Sequence, residues 1–420
     1  MDTIVINGGA TLSGTVATGG AKNAALPLLF ATLLADGEYR FSNVPRLRDI
    51  DSTLLLLEHL GTRVDRSGDT LSVHAVECGH LDAPYDIVRK MRASILCLGP
   101  LLARYGRAKV SLPGGCAIGT RPINLHIEAL QQMGAEIEIE HGYVIARAER
   151  LHGACIVFEN ATVGGTENLM LAATLAKGTT VLENAAKEPE IVDLAECLVK
   201  MGAQIDGAGS SVVTIEGVDQ LRPCSHRVIP DRVEAGTLLI AGAITGGDVR
   251  VNNCVPGHID ALTQRMAECG FRIDAGSDWL RVLPCDGWRA VDISTAPYPG
   301  FPTDLQAQFM ALMTVAEGTS VVTERIFENR FMHVQELVRM GANITPKTQV
   351  AVVRGQPGCL NGAPVMATDL RASASLVLAG LAAEGETIVN RIYHLDRGYE
   401  GLEAKLRRLG ARTERRPSEP

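Results

Sequence analysis

At 420 residues the chain is too long for one comfortable hydrophobic core, so two domains are expected. Its 46% apolar and 21% charged residues suit a soluble globular enzyme, while a formal charge of −8 and only 4% aromatics argue against a nucleic-acid surface. No apolar stretch approaches a membrane span, the start MDTIV carries no secretory leader, and ten cysteines without a CxxC pair fit a reducing cytoplasm better than a disulfide or zinc framework.

Taken in chain order, residues 3–18 (TIVINGGATLSGTVAT) read as strands that belong to no preceding helix. From there one unit recurs six times. A helix-like run closes on a glycine and leads into a strand, at Gly37, Gly106, Gly178, Gly247, Gly318 and Gly385. A second helix follows, closed at Gly61, Gly134, Gly202, Gly270, Gly341 and Gly410, which are about 70 residues apart, and then a hairpin such as residues 203–215. The sixth repeat lacks its hairpin, because only ARTER separates Gly410 from a polar tail. The N-terminal strands are therefore expected to complete it. This gives an α/β protein with three repeats in each of two domains: residues 21–229, and residues 1–20 plus 230–416, with 417–420 as tail. Crossovers are expected near 217–230 and 18–21, and two connections at one edge predict hinge closure over a cleft. An elongated solenoid is the other arrangement of six repeats; closure by the chain's own N-terminus favours compact domains.

The second repeat breaks the pattern. About 24 residues separate the paired glycines elsewhere, but about 28 lie between Gly106 and Gly134. The surplus falls in residues 112–126, a Gly- and Pro-rich loop holding Cys116, Arg121 and His126. A thiol between Gly-Gly and Ala-Ile-Gly is poor core filler, so this stretch is expected to be a mobile lid carrying a catalytic thiol.

Repeats also supply an internal control, since a residue needed by architecture should recur and one needed by chemistry need not. At the start of the first helix stand Lys22 and Asn23; Arg92; Glu167 and Asn168; Asp231 and Arg232; Asp304; and Asp369 with Arg371. The loop before the second helix adds Arg46 and Arg48; Cys116, Arg121 and His126; Lys187, Glu188 and Glu190; His258; Arg325 and Arg330; and His394 with Arg397. If three repeats surround an axis, these positions share one end of each domain. Lys22, Arg92, Arg121, Arg330, Arg371 and Arg397 would then repel one another unless a small polyanion joined them. Simpler roles compete: Asp231, Asp304 and Asp369 suit helix N-caps, Glu188 and Glu190 suit a helix start, His126 suits a helix face, and any single arginine suits a solvated surface. No P-loop, GxGxxG, HExxH or metal-spaced set appears.

The same residues resemble the UDP-N-acetylglucosamine enolpyruvyl transferases over nearly the whole length. The matching segments are residues 19–24 (GGAKNA), 91–94 (MRAS), 113–119 (PGGCAIG), 121–126 (RPINLH), 184–190 (NAAKEPE), 302–308 (PTDLQAQ), 368–371 (TDLR) and 396–400 (DRGYE). The resemblance implies a two-domain inside-out α/β barrel with three repeats per domain. It also implies transfer of the enolpyruvyl group of phosphoenolpyruvate to the 3′-hydroxyl of UDP-N-acetylglucosamine, in peptidoglycan synthesis, without metal or organic cofactor. Cys116 would protonate the donor's methylene and would be the thiol that fosfomycin alkylates. Lys22, Arg121 and Arg397 would hold phosphate, Arg330 and Arg371 the carboxylate, Asp304 would receive the hydroxyl proton, and Asn23 would orient the substrate. Arg92, Arg121, Pro122, Ile123, Asn124, Leu125, Asn160, Ala161, Thr162, Val163 and Ile326 would contact the nucleotide sugar. Asn124, Leu96, Asn160 and Thr162 depart from the residues common in that family. Two rival readings are 5-enolpyruvylshikimate 3-phosphate synthase, which shares the architecture but lacks the cysteine loop, and a silent paralogue that binds the nucleotide sugar without turnover.

Overall fold

The computed structural model describes residues 2–89, 91–112 and 123–417. They divide into two compact units, one of residues 20–112 and 123–229, the other of residues 2–19 and 230–417. The core of the first unit is built on the helices Lys22–Ala31, Leu98–Tyr105 and Val163–Ala173. In the second it is built on Arg232–Ile244, Gln306–Thr314 and Leu370–Ala382, which pack on one another. These helices are mostly apolar and buried along most of their length, so they form the interior rather than lean against it. A second set of helices lies outside them. Arg48–Leu60, for example, buries Ile50, Thr53, Leu56, Leu57 and Leu60, the spacing of a one-sided helix. The glycines that close this outer set have φ between 93 and 115°, a left-handed conformation that a Cβ would oppose.

Six four-stranded sheets enclose the inner helices. In four of them a short strand just before the inner helix runs parallel to the strand after it, and in five a hairpin extends the sheet. Cys155–Val157, Thr179–Glu183, Val212–Glu216 and Gln204–Asp206 lie side by side in that order, with Val181 opposite Thr214. Thr180, Leu182, Val213 and Ile215 are buried between exposed neighbours, so one face of the sheet meets the helices and the other meets solvent. This is the expected inside-out α/β architecture of six repeats.

In the sixth sheet Thr3–Asn7 lies between Glu386–Asn390 and Arg412–Arg416, antiparallel to both, in the place of the missing hairpin strand. Ser13–Ala17 pairs in parallel with Asp248–Asn252. Residues 217–230 are not simply a linker as expected: Ser225–Arg227 forms a strand parallel to Arg40–Ser42 and completes the first sheet. Its three residues are flanked by Pro223 and Pro230, which hide so short a strand in the sequence. The chain passes between the units at 19–20 and again at 229–230.

Candidate active site

In the second unit the short turn Thr303–Leu305 leads into the inner helix Gln306–Thr314 and carries Asp304. Asp231 and Asp369 are helix N-caps, each accepting two backbone N–H groups, but Asp304 is not: the cap of its turn is Pro302. Its carboxylate instead receives two guanidiniums, Arg330 Nη2 on Oδ1 and Arg371 Nη2 on Oδ2, both at 2.9 Å. Both arginine side chains are almost fully buried. Burial alone would weaken Arg371's hold on its proton; the Asp304 carboxylate, with lesser help from Tyr399 and Asp231, reverses this and keeps the guanidinium above its ordinary value. Arg371 lies 5.4 Å from the Tyr399 ring centroid, and its Nε and Nη1 are buried without a hydrogen-bond partner. Two strong donors therefore remain for an anion with carboxylate or phosphate geometry.

Two residues that the sequence did not single out hold this arrangement. Glu324, fully buried, ends the strand Gly318–Thr323 and accepts four hydrogen bonds: Thr295 Oγ1 (2.9 Å), Thr303 Oγ1 (2.9 Å) and the backbone N–H groups of Ile326 (2.8 Å) and Phe327 (3.2 Å). It thus ties the turn bearing Asp304 to the loop bearing Ile326 and Arg330. Gln308 Nε2 donates to the Asp304 carbonyl at 2.9 Å and lies against the Thr237 and Tyr399 hydroxyls. Arg397 sits in the turn Leu395–Arg397, and its charge acts with burial to lower the pKa of His394.

In the first unit Lys22 opens its helix and donates to Asp49 Oδ2 at 3.2 Å, both side chains being largely buried. A Cβ on Gly20 would stand 1.7 Å from the Asn43 carbonyl oxygen, so the approach to Lys22 requires glycine there. Arg92 opens the turn Arg92–Cys97 and faces His126 electrostatically. His126 is buried within the helix Asn124–Gln132, the simpler helix-face place open to it rather than the loop, because His126, Ala129 and Leu130 recur at helical spacing. Burial first, and Arg92 second, lower its pKa to about 4. Asn168 Nδ2 donates to His126 Nδ1 at 3.0 Å while Asn168 Oδ1 accepts the Gly99 N–H at 2.9 Å, which leaves the histidine proton on Nε2.

That ring also lies beside Gly164, in the first turn of the helix capped by Thr162 Oγ1. His126 thereby brings Ile123, Asn124 and Leu125 to the run of Ala161, Thr162 and Val163. Asn160 and Asn124 are exposed, and Asn124 Nδ2 donates to Glu128 Oε1 at 3.4 Å. Asn23 is half-buried at the helix start. Cys116, Arg121 and Pro122, and with them the expected lid, lie outside the described residues.

Six repeats around buried helices, with cations and carboxylates at the helix starts, are the frame of a known group of transferases. The chain belongs to the EPSP synthase (3-phosphoshikimate 1-carboxyvinyltransferase) family, whose model matches residues 6–406. Within that family it is 64% identical to the UDP-N-acetylglucosamine 1-carboxyvinyltransferase of Bdellovibrio bacteriovorus over 412 residues, 98% of this chain and 100% of that one. It is 57% identical to the protein of the same name from Geotalea uraniireducens over 411 residues, 98% of each. Among solved structures, the enolpyruvyl transferase NikO from Streptomyces tendae matches with a TM-score of 0.89 and 26% identity over 100% of this chain and 99% of that one. EPSP synthase from Acinetobacter baumannii matches at 0.77 and 18% identity over 99% and 100%, a likeness of fold.

Proposed function

We propose that this chain transfers the enolpyruvyl group of phosphoenolpyruvate to the 3′-hydroxyl of UDP-N-acetylglucosamine with release of phosphate, the first committed step of peptidoglycan synthesis. The observation that carries the reading is the Asp304 carboxylate gripped by two buried guanidiniums, in a chain whose full-length relatives are named for that activity. The reaction is addition followed by elimination. The sugar oxygen attacks C2 of the donor as C3 gains a proton; phosphate then leaves C2 as C3 gives a proton up.

Asp304 is assigned the proton of the sugar hydroxyl, and Cys116 the proton delivered to C3. Arg330 and Arg371 take the donor's carboxylate, for which Arg371 has Nε and Nη1 in reserve. Once they share their charge with that carboxylate, their hold on Asp304 weakens and its oxygens become better proton acceptors. Lys22, Arg121 and Arg397 hold the phosphate and stabilise it as it leaves. Arg92, Arg121–Leu125, Asn160–Val163 and Ile326 take the nucleotide sugar, and Asn23 orients the phosphoenolpyruvate. Among the described residues no helix is long and apolar enough to cross a membrane, and the reaction is assigned to the cytoplasm.

The test is phosphate release from phosphoenolpyruvate with UDP-N-acetylglucosamine, with shikimate 3-phosphate, or with no acceptor. Release with the first alone is expected. Release only with shikimate 3-phosphate, or with neither, overturns the reading.

A further inference from the structure

Away from the residues assigned to the reaction, the first unit brings two thiols together. Cys197 is buried on the outer helix Pro189–Met201, and Cys224 is half-buried in the irregular segment that enters the strand Ser225–Arg227. Their Sγ atoms stand 3.6 Å apart. Polar side-chain contacts beyond Cys224 join the same two segments. Lys200 Nζ donates to His226 Nδ1 at 2.8 Å, and His226 Nε2 donates to Asp193 Oδ1 at 2.8 Å, with both side chains of the latter pair almost fully buried. Asp193 Oδ2 also receives the Ile229 N–H at 3.5 Å, so the helix holds the strand at its middle residue and just beyond its end. Among the described residues no third His, Cys, Asp or Glu joins the two sulfurs at metal-binding distance, so the pair is not the corner of a zinc site.

We propose that Cys197 and Cys224 are an oxidisable dithiol that closes to a disulfide on meeting a hydroperoxide. The sulfurs need to approach by about 1.5 Å, and Cys224 lies on chain outside regular structure that can supply the movement. Cys224 is the attacking group. The hydrogen bond from Cys197 comes first, and the charge of Lys200 adds to it, holding the Cys224 thiol at about 7 against the opposing effect of burial. Its thiolate attacks one peroxide oxygen, the O–O bond breaks and hydroxide leaves, giving a sulfenic acid. The Cys197 sulfur then attacks that sulfur, the S–S bond forms, the S–O bond breaks, and water leaves with the thiol proton. With hydrogen peroxide, two thiols are oxidised by two electrons and the peroxide is reduced to two waters, the leaving hydroxide taking up the proton shed by the Cys224 thiol. The new bond would staple the outer helix to the segment by which the chain leaves the first unit.

The experiment treats the full-length protein with hydrogen peroxide, alkylates the remaining thiols, digests with trypsin and maps the peptides. Residues 188–200 and 201–227 each hold one cysteine. Expected is a linked pair about 2 Da lighter than its two reduced parts, reversed by dithiothreitol and absent from Cys224→Ser. In Cys197→Ser, Cys224 should be trapped as the sulfenic acid and captured by dimedone. Recovery of both cysteines alkylated at a dose that oxidises the exposed Cys155 overturns the proposal. So does a sulfinic acid on Cys224 with Cys197 still alkylated. The parent protein's map decides the matter if either serine variant folds poorly.

Discussion

Replacing Glu324 tests whether the Asp304 and Arg330 segments owe their mutual placement to one buried carboxylate. In Glu324→Ala the Thr295 and Thr303 hydroxyls can turn to other acceptors, but the Ile326 and Phe327 N–H groups cannot. Each of the two orphaned N–H groups costs about 1–3 kcal/mol, and relief from burying a charge offsets part of that, so a loss of about 1–5 kcal/mol of stability is expected. If the loop moves by about 1 Å, kcat/KM for phosphate release should fall by about 10²-fold. Glu324→Gln keeps a carbonyl for the two N–H groups, and its NH₂ can donate to the Thr303 hydroxyl, so it should cost about 1 kcal/mol and restore most of the activity. Urea unfolding and steady-state phosphate release on both variants provide the comparison. An alanine enzyme that loses the stability but keeps kcat/KM within about threefold of the parent would refute the reasoning, as would a glutamine variant no better than alanine.

Asp304→Asn should leave the far-UV circular dichroism unchanged and lower turnover by about 10²–10⁴-fold, the contribution of a positioned base. Arg371→Lys removes Nε and the planar fork, so KM for phosphoenolpyruvate should rise by about tenfold or more in steady-state assays, with a smaller effect on the nucleotide sugar. Cys116→Ser should be indifferent to fosfomycin in inhibition assays and impaired in turnover. His126 has its folded pKa lowered to about 4 by burial and Arg92, below an ordinary value near 6.5, so the unfolded chain binds the proton more readily. Its contribution is present above about pH 6.5 and is lost as pH falls toward 4, up to about 3 kcal/mol. Urea unfolding at pH 7.5 and pH 5 should show a smaller difference in His126→Gln than in the parent; equal differences would remove the histidine from the account.

Much of the frame was legible because its key positions have no chemical substitute. Glycine is the cheapest residue for a left-handed helix end, so the repeat is written in glycines even where everything around them has drifted. Asp231, Asp369 and Asp304 look alike in sequence, and only geometry separates them. Two face their own backbone, whereas Asp304 faces arginines 26 and 67 residues further along. Glu324 gave no signal, since an acidic residue at a strand end is ordinarily solvated and its two hydroxyl partners lie 29 and 21 residues upstream. The strand Ser225–Arg227 was missed for a related reason: its partner Arg40–Ser42 belongs to the opposite end of the first unit's chain. Sequence periodicity reports local order, and these features are set by contacts between distant segments.

Thr3–Asn7, wedged between strands from the far end of the chain, sets the order in which the molecule can be completed during synthesis. Thr3 and Arg416 are 413 residues apart along the chain. At about 5–20 residues per second, the leading strand waits roughly 20–80 s on the ribosome for its neighbours. Residues 20–229 emerge as a contiguous stretch and can collapse in the meantime. The second unit instead begins with an orphan strand and ends by capturing it, so a truncated chain that stops before Glu386 would carry an apolar edge with nothing to pair against.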